Sequence, residues 1–466
     1  MTTPASRTSD HGRLLTLWSL RPGTHLESGD SGDDVLLHHR WGVERIERPG
    51  RVVREALRRM SFGPVQLANV PGAADTDELT VLVDRIRPLL ECGLQFEDGT
   101  TPLLGLVAMS PRAESLPVEG AAGMLGPQTP VRLSRFTSLR STDDGFVMES
   151  PLSLYRARLD DGRAVALIGA VGRATTAEAA AGATGLGLDA VRRVLGLLVA
   201  AGLIDVARSA HEPFGEELDD ALTAWVPVDL LFHTRSTLGR HDHDFGAVRH
   251  RTGRDHARAR PDETGQHRVA LPRPPQRTGA GPALADLLER ARERREFGAR
   301  GPSRSQLAEL LFHAARADSG SCCPLELYLS VTQCADLTPG IYRYDRDDHS
   351  LVLVTSDDDA LHEVLEHAAV GARLTRTPAV LVTLTARFDQ VDTKLAGPGY
   401  ALVLRSAGAA VQTMGLVAAT LGLAIAPLTM LDIDADARLL GLDWRIESTV
   451  AATVVGVAAD EEAESA

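Results

Sequence analysis

The chain has 466 residues, a formal net charge of −14 and only 4% aromatic residues. At roughly 100–200 residues per domain this length calls for two or three domains. The acidic balance and the scarcity of rings argue against a nucleic-acid surface or a base-stacking platform. No run approaches the ~18–20 uninterrupted apolar residues of a membrane span, and the stretch MTTPASRTSDHGR holds no signal-peptide hydrophobic region, so a cytoplasmic protein free of membrane is expected. Cys92, Cys322, Cys323 and Cys334 form no CxxC pair and have no histidines at zinc spacing, which predicts reduced thiols and no metal site.

Residues 1–30 read as a polar lead-in. A first module, 31–130, opens with a strand from Val35 to His39, a helix from Val52 to Met60 and a second helix from Glu78 to Cys92 that stops at Gly93. A second module, 131–210, repeats the pattern. Strands are expected from Leu152 to Leu159 and from Arg163 to Ile168 around the turn Asp160-Asp161-Gly162. Thr175 or Thr176 caps a helix through Ala181, and a helix from Leu188 to Ala201 stops at Gly202. The two modules thus read as tandem winged helices. The would-be recognition helix offers only Arg192 and Arg193, which favours peptide over DNA as the partner.

Residues 211–280 read as a hinge. Its first part is expected to dock through Trp225, Leu230, Leu231 and Phe232, and its second part is a basic linker from His241 to Arg277. Residues 281–466 then mix amphipathic helices with apolar strands, the pattern of an α+β domain. Its helices begin at Ala283 and at Ser303 or Ser305. Strands are expected at 325–331, 351–354 and 449–456, with a turn at TPGIYRYD and a helix over 358–369.

The domain is organised around 379–423. There a strand from Ala379 to Leu384, apolar throughout, leads to a loop with Asp389, Asp392 and Lys394. A helix follows, with Leu404, Val411, Met414, Val417 and Leu421 on one stripe and a smooth strip of Ala407, Gly408, Ala409 and Ala410 on another; Gly422 caps it.

Three segments carry a family resemblance: Arg292-Glu293-Arg294-Arg295-Glu296-Phe297, the loop Asp318-Ser319-Gly320-Ser321 before Leu325-Glu326-Leu327-Tyr328, and Pro339-Gly340-Ile341-Tyr342-Arg343-Tyr344. In these the C-terminal half resembles nitroreductase-like flavin enzymes, and the whole chain resembles the SagB- or McbC-type azoline dehydrogenases of thiazole/oxazole-modified peptide biosynthesis. The resemblance implies FMN held by Arg292, Arg294 and Arg295, with Ser319 and Gly320 close to the flavin. It also implies a homodimer, a precursor-peptide substrate and room for a cyclodehydratase complex. Azoline oxidation removes two electrons and two protons from the ring, and Lys394 matches the family's lysine, with Leu395 where its tyrosine stands. The alternative is a flavin-fold scaffold that holds a precursor peptide for partner enzymes.

Overall fold

A computed structural model describes residues 12–29, 33–75, 77–143, 145–242, 266–275, 282–291, 295–317, 325–388, 390–391 and 399–459. Contacts divide the chain into two units, Met1–Gly246 and Ala247–Ala466.

The first unit begins with β1 (Leu14–Leu20), then a meander of β2 (His25–Ser28), β3 (Val35–His39) and β4 (Gly42–Ile46). Helix α1 (Arg51–Phe62) buries Val53, Ala56, Leu57 and Met60 at helical spacing. The helix expected from Glu78 to Cys92 is shorter: α2 (Glu78–Arg85) gives way to a 3₁₀ turn at Arg87–Leu89 and then to β5 (Leu90–Phe96). Pro88 cannot extend an α-helix, and from Leu90 every second side chain is buried. Gly93 therefore lies inside a strand and is not a helix terminator.

Next come β6 (Leu104–Ala108), β7 (Pro130–Leu133), β8 (Ser138–Thr142), β9 (Gly145–Glu149) and β10 (Tyr155–Leu159). The strand expected from Arg163 to Ile168 is a helix, α3 (Gly162–Ala170). Asp161 caps it by accepting the Arg163 N–H at 2.8 Å, a cap that resembled a hairpin turn in sequence. Thr176 closes β11 (Thr175–Thr176) and caps α4 (Ala177–Thr184); α5 (Leu188–Ala200) and β12 (Ile204–Val206) follow. One six-stranded sheet, in the order β1-β5-β6-β10-β9-β8, takes strands from both sides of residue 130 and shares a single core with α1–α5. The two expected modules are therefore fused through a common sheet. A second sheet, β11-β7-β12, lies beside α3–α5 in sequence.

Short helices α6 (Gly215–Leu218), α7 (Asp220–Thr223) and α8 (Pro227–Arg235) occupy the first part of the expected hinge. Leu230 is buried there, but Trp225 and Phe232 are exposed. Polar contacts hold the segment instead: Arg235 donates to the Ser150 carbonyl at 2.8 Å, Arg240 to that of Pro151 at 3.1 Å, and Ser110 Oγ to that of Gly239 at 2.6 Å.

The second unit is a seven-stranded sheet covered on both faces. Its strands are β13 (Arg268–Ala270), β14 (Leu325–Val331), β15 (Gly340–Asp345), β16 (Ser350–Thr355), β17 (Val380–Arg387), β18 (Leu423–Pro427) and β19 (Glu447–Val457). They pair in the order β13-β16-β15-β14-β17-β19-β18. The segment TPGIYRYD, expected as a turn, runs into β15, and β13 arises from within the expected linker. Helices α9 (Leu284–Arg290), α10 (Arg304–Ala317), α11 (Asp358–Gly371), α12 (Gly399–Thr420) and α13 (Ile433–Leu440) complete the unit. Ser303 Oγ accepts the Gln306 N–H while Gln306 Oε1 accepts that of Ser303, a reciprocal cap that starts α10. One apolar cluster joins the sheet to α10 and α12, and another joins it to α11 and α13. Central β17 is consequently buried along nearly its whole length.

Helix α12 turns its small side chains inward. Val403, Ala407, Ala410, Met414 and Ala418 are buried, whereas Leu404 and Tyr400 are exposed. Gly422, at φ 68°, ends it in the left-handed conformation. Among the described residues it is the one helix long and apolar enough to cross a membrane, and it packs on α10, β18 and β19.

Candidate functional site

After α9 the chain passes along the end of the seven-stranded sheet. Phe297 pairs with Ala458, and the Gly298 N–H donates to the Val457 carbonyl at 2.9 Å. The Phe297 ring lies over Gly456, where a Cβ would come within 2.6 Å of it. Gly301 backs onto Gln333 so closely that a Cβ would stand 1.9 Å from the Gln333 carbonyl oxygen. The facing wall is the segment 374–379 that feeds β17. There Arg376 donates to the Gly298 carbonyl at 3.0 Å and to that of Phe297.

Between these walls lies a cleft of about 490 Å³ lined by Arg295, Arg300, Arg376, Glu296 and Gln333. Among the described residues three guanidiniums and one carboxylate line the cleft, and planar guanidinium forks suit the oxygens of a phosphate. The donor set fits a phosphate-bearing group.

Of the residues singled out in the sequence, Arg295 lines this cleft. Arg292, Arg294, Ser319, Gly320 and Lys394 lie outside the described residues. The chain toward Lys394 leaves β17 at Arg387, whereas the cleft adjoins the start of that strand at Val380. At ~3.3 Å per residue the two points are roughly 23 Å apart, so Arg295 and the exit toward Lys394 stand at opposite ends of β17. At the exit end, buried Glu447 accepts hydrogen bonds from Tyr328 at 3.1 Å and Thr385 at 2.7 Å. Sequence reasoning missed Arg300 and Arg376. Arg300 follows the arginine motif by five residues, but Arg376 sits in an unremarkable loop and meets the motif only through the pairing of β17 with β19. Among the described residues no group of three or more His, Cys, Asp or Glu could hold a metal ion.

Residues 288–457 match the nitroreductase family. The similarity to that family thus covers most of the second unit. Residues 131–242, in the first unit, match the cyanobactin oxidase ThcOx family. A Methanocaldococcus jannaschii protein assigned as a nitroreductase, MJ1384, is 26% identical over 150 residues, 30% of this chain and 75% of its own length. Among solved structures, the E. coli microcin synthetase McbBCD complex with truncated pro-MccB17 bound shares 19% identity over 40% of this chain and 77% of that one, with a TM-score of 0.31. A Desulfovibrio desulfuricans protein assigned as a nitroreductase, in complex with FMN, shares 19% identity over 39% and 88%, with a TM-score of 0.28. FMN is the cofactor of the nitroreductase family, and the arginine cleft suits its phosphate.

Proposed function

We propose that this chain is an FMN-dependent oxidoreductase of ribosomal-peptide natural-product biosynthesis that converts azoline rings of a precursor peptide to thiazoles or oxazoles. The observation that carries the reading is the convergence of Arg295, Arg300 and Arg376 on one cleft inside a nitroreductase-family domain. The match of 131–242 to a cyanobactin oxidase family supports a peptide as substrate.

In this reading Arg295, Arg300 and Arg376 hold the FMN phosphate, and Arg292 and Arg294 extend the same charge. Ser319 and Gly320 allow close backbone approach to the flavin. Bound FMN supplies the two-electron acceptor. Lys394 takes the ring proton, a role that requires a neutral amine and hence an environment that lowers its pKa. The helix group α3–α5 with its small sheet keeps a winged-helix order and serves to hold the peptide. Exposed Leu404 and Tyr400 on α12 support a homodimer built on that helix.

The test is azole formation on an azoline peptide, followed by mass spectrometry as the loss of two hydrogens per ring. Flavin-loaded wild type should oxidise, and Lys394→Ala should lose about 10²–10⁴ in rate while retaining FMN. Equal rates would remove Lys394 from the chemistry. Inert wild type with flavin bound would favour the scaffold alternative.

A further inference from the structure

The outward face of the six-stranded sheet is built from charge. Arg156 and Arg158 on β10, Arg140 on β8 and Glu91 on β5 stand there with Val107 and Val147, and together with Arg21 and Arg40 they line a hollow of about 280 Å³. Most of the carboxylates on this face have their own partners. Glu91 is held by Arg158 at 3.0 Å, Asp160 by Arg158 at 2.9 Å, and Glu149 by Arg140 at 2.8 Å.

Asp242 differs from these. Its Oδ1 lies 2.5 Å from Arg21 Nη2 and 3.1 Å from Arg40 Nη1, and its Oδ2 lies 3.4 Å from Arg156 Nη1. Arg40 Nη1 also donates to the Asp242 backbone carbonyl at 2.5 Å. One aspartate, side chain and main chain together, is therefore gripped by three guanidiniums from β10 and from the chain flanking β1 and β3.

Arg21 explains why the hollow needs an anion. Its side chain is only 2% exposed, lies 4.4 Å from the Trp41 ring centre and spends Nη1 on the Ala108 carbonyl. Burial disfavours its charge, and among the described residues Asp242 is the one carboxylate that Arg21 and Arg40 reach. Asp242, Arg40 and Arg156 in contrast stay partly open to solvent, at 13%, 29% and 28% side-chain exposure, so an incoming group can reach the grip.

We propose that this hollow is a binding site for an acidic residue of a peptide chain, which Asp242 fills in the free protein. The present occupant sets the ligand class: Arg21, Arg40 and Arg156 hold a carboxylate while Arg40 also holds the main-chain carbonyl of the same residue, which a free inorganic anion does not offer. A tethered aspartate competes at an effective concentration in the millimolar range, so a peptide must displace it. The site belongs to the first unit and goes beyond the redox reading; its occupancy is measured without flavin chemistry.

The experiment is fluorescence anisotropy of a fluorescein-labelled hexa-aspartate peptide with the full-length protein. Asp242→Asn should bind it about tenfold more tightly than wild type, because the internal competitor loses its charge. Adding Arg40→Gln or Arg156→Gln to that variant should abolish the gain, and Arg156→Gln alone should weaken binding by the wild-type chain. The proposal is overturned if folded Asp242→Asn binds no tighter, if the double variants keep the gain, or if Arg156→Gln alone changes nothing. Displacement by inorganic phosphate as effective as that by unlabelled hexa-aspartate would overturn the peptide assignment.

Discussion

Tyr328 reaches from β14 across β17 to give its hydroxyl hydrogen to Glu447 on β19, at 3.1 Å. Thr385, on the strand between, donates to the same carboxylate oxygen at 2.7 Å. All three side chains are buried, so at that oxygen these donors stand in place of water. Tyr328→Phe should destabilise the second unit by about 1.5–3 kcal/mol, the usual worth of a hydrogen bond to a charged group. Urea unfolding checks this, and an unchanged midpoint would show that the bond adds nothing.

The phosphate role proposed for the cleft predicts a loss of flavin on removing its arginines. Arg295→Ala and Arg376→Ala should each weaken FMN binding by about 1.5–3 kcal/mol, or roughly 10- to 150-fold in Kd. Arg376→Ala also removes the donor to the Gly298 carbonyl, so its effect should be at least as large. Flavin retained after desalting, read from its visible absorbance, measures both.

Asp436 lies buried near the start of α13, and loss of hydration raises its pKa above the ordinary aspartate value. An acid whose folded pKa is raised costs nothing while both states are protonated. The cost appears as pH climbs through the unfolded value and is complete above the folded one. Asp436→Asn should therefore raise Tm at pH 7 and leave it unchanged near pH 3. A gain of equal size at both pH values would rule out ionisation as the cause.

Burial pushes the Cys92 thiol up to about 12 and that of Cys334 to about 11. Thiolate is the reactive form, so at pH 8 neither should alkylate in the native protein, and both should do so in urea. Peptide mapping after iodoacetamide distinguishes the two conditions. Native labelling of Cys92 would mean that β5 opens readily.

Gly196, in the middle of α5, faces the Ala121 backbone, and a Cβ there would stand 2.0 Å from the Ala121 carbonyl oxygen. Gly196→Ala improves helix propensity and should still lower stability by about 1–3 kcal/mol, because backbone must move. Thermal unfolding gives the sign directly.

Periodicity made much of the second unit legible. The strand from Ala379, the helix from Tyr400 and its Gly422 cap were readable because burial on both sheet faces leaves an uninterrupted apolar run, and left-handed caps favour glycine. Which side of α12 faces inward was not. Leucines mark the core in most helices, but here Ala407 and Ala410 pack inward and Leu404 does not. Asp161 was misread because an Asp-Gly pair signals a hairpin as well as a helix start. Arg295, which lines the candidate cleft, stood out in sequence through its arginine run. Arg376 did not, since it reaches the cleft only through long-range strand pairing.

The shared sheet also sets a timetable for synthesis. β6 is translated soon after β5 and pairs with it, but its other neighbour, β10, begins only at Tyr155. At about 5–20 residues per second that strand follows after several seconds. Through that interval the outer edge of β6 is an open row of backbone donors and acceptors, of the kind that recruits strands from neighbouring nascent chains. β6 is only five residues long and carries Gly105 at its second position, which makes it a poor template for foreign pairing. The wait for β10 is therefore passed behind a strand whose own length and composition discourage foreign pairing.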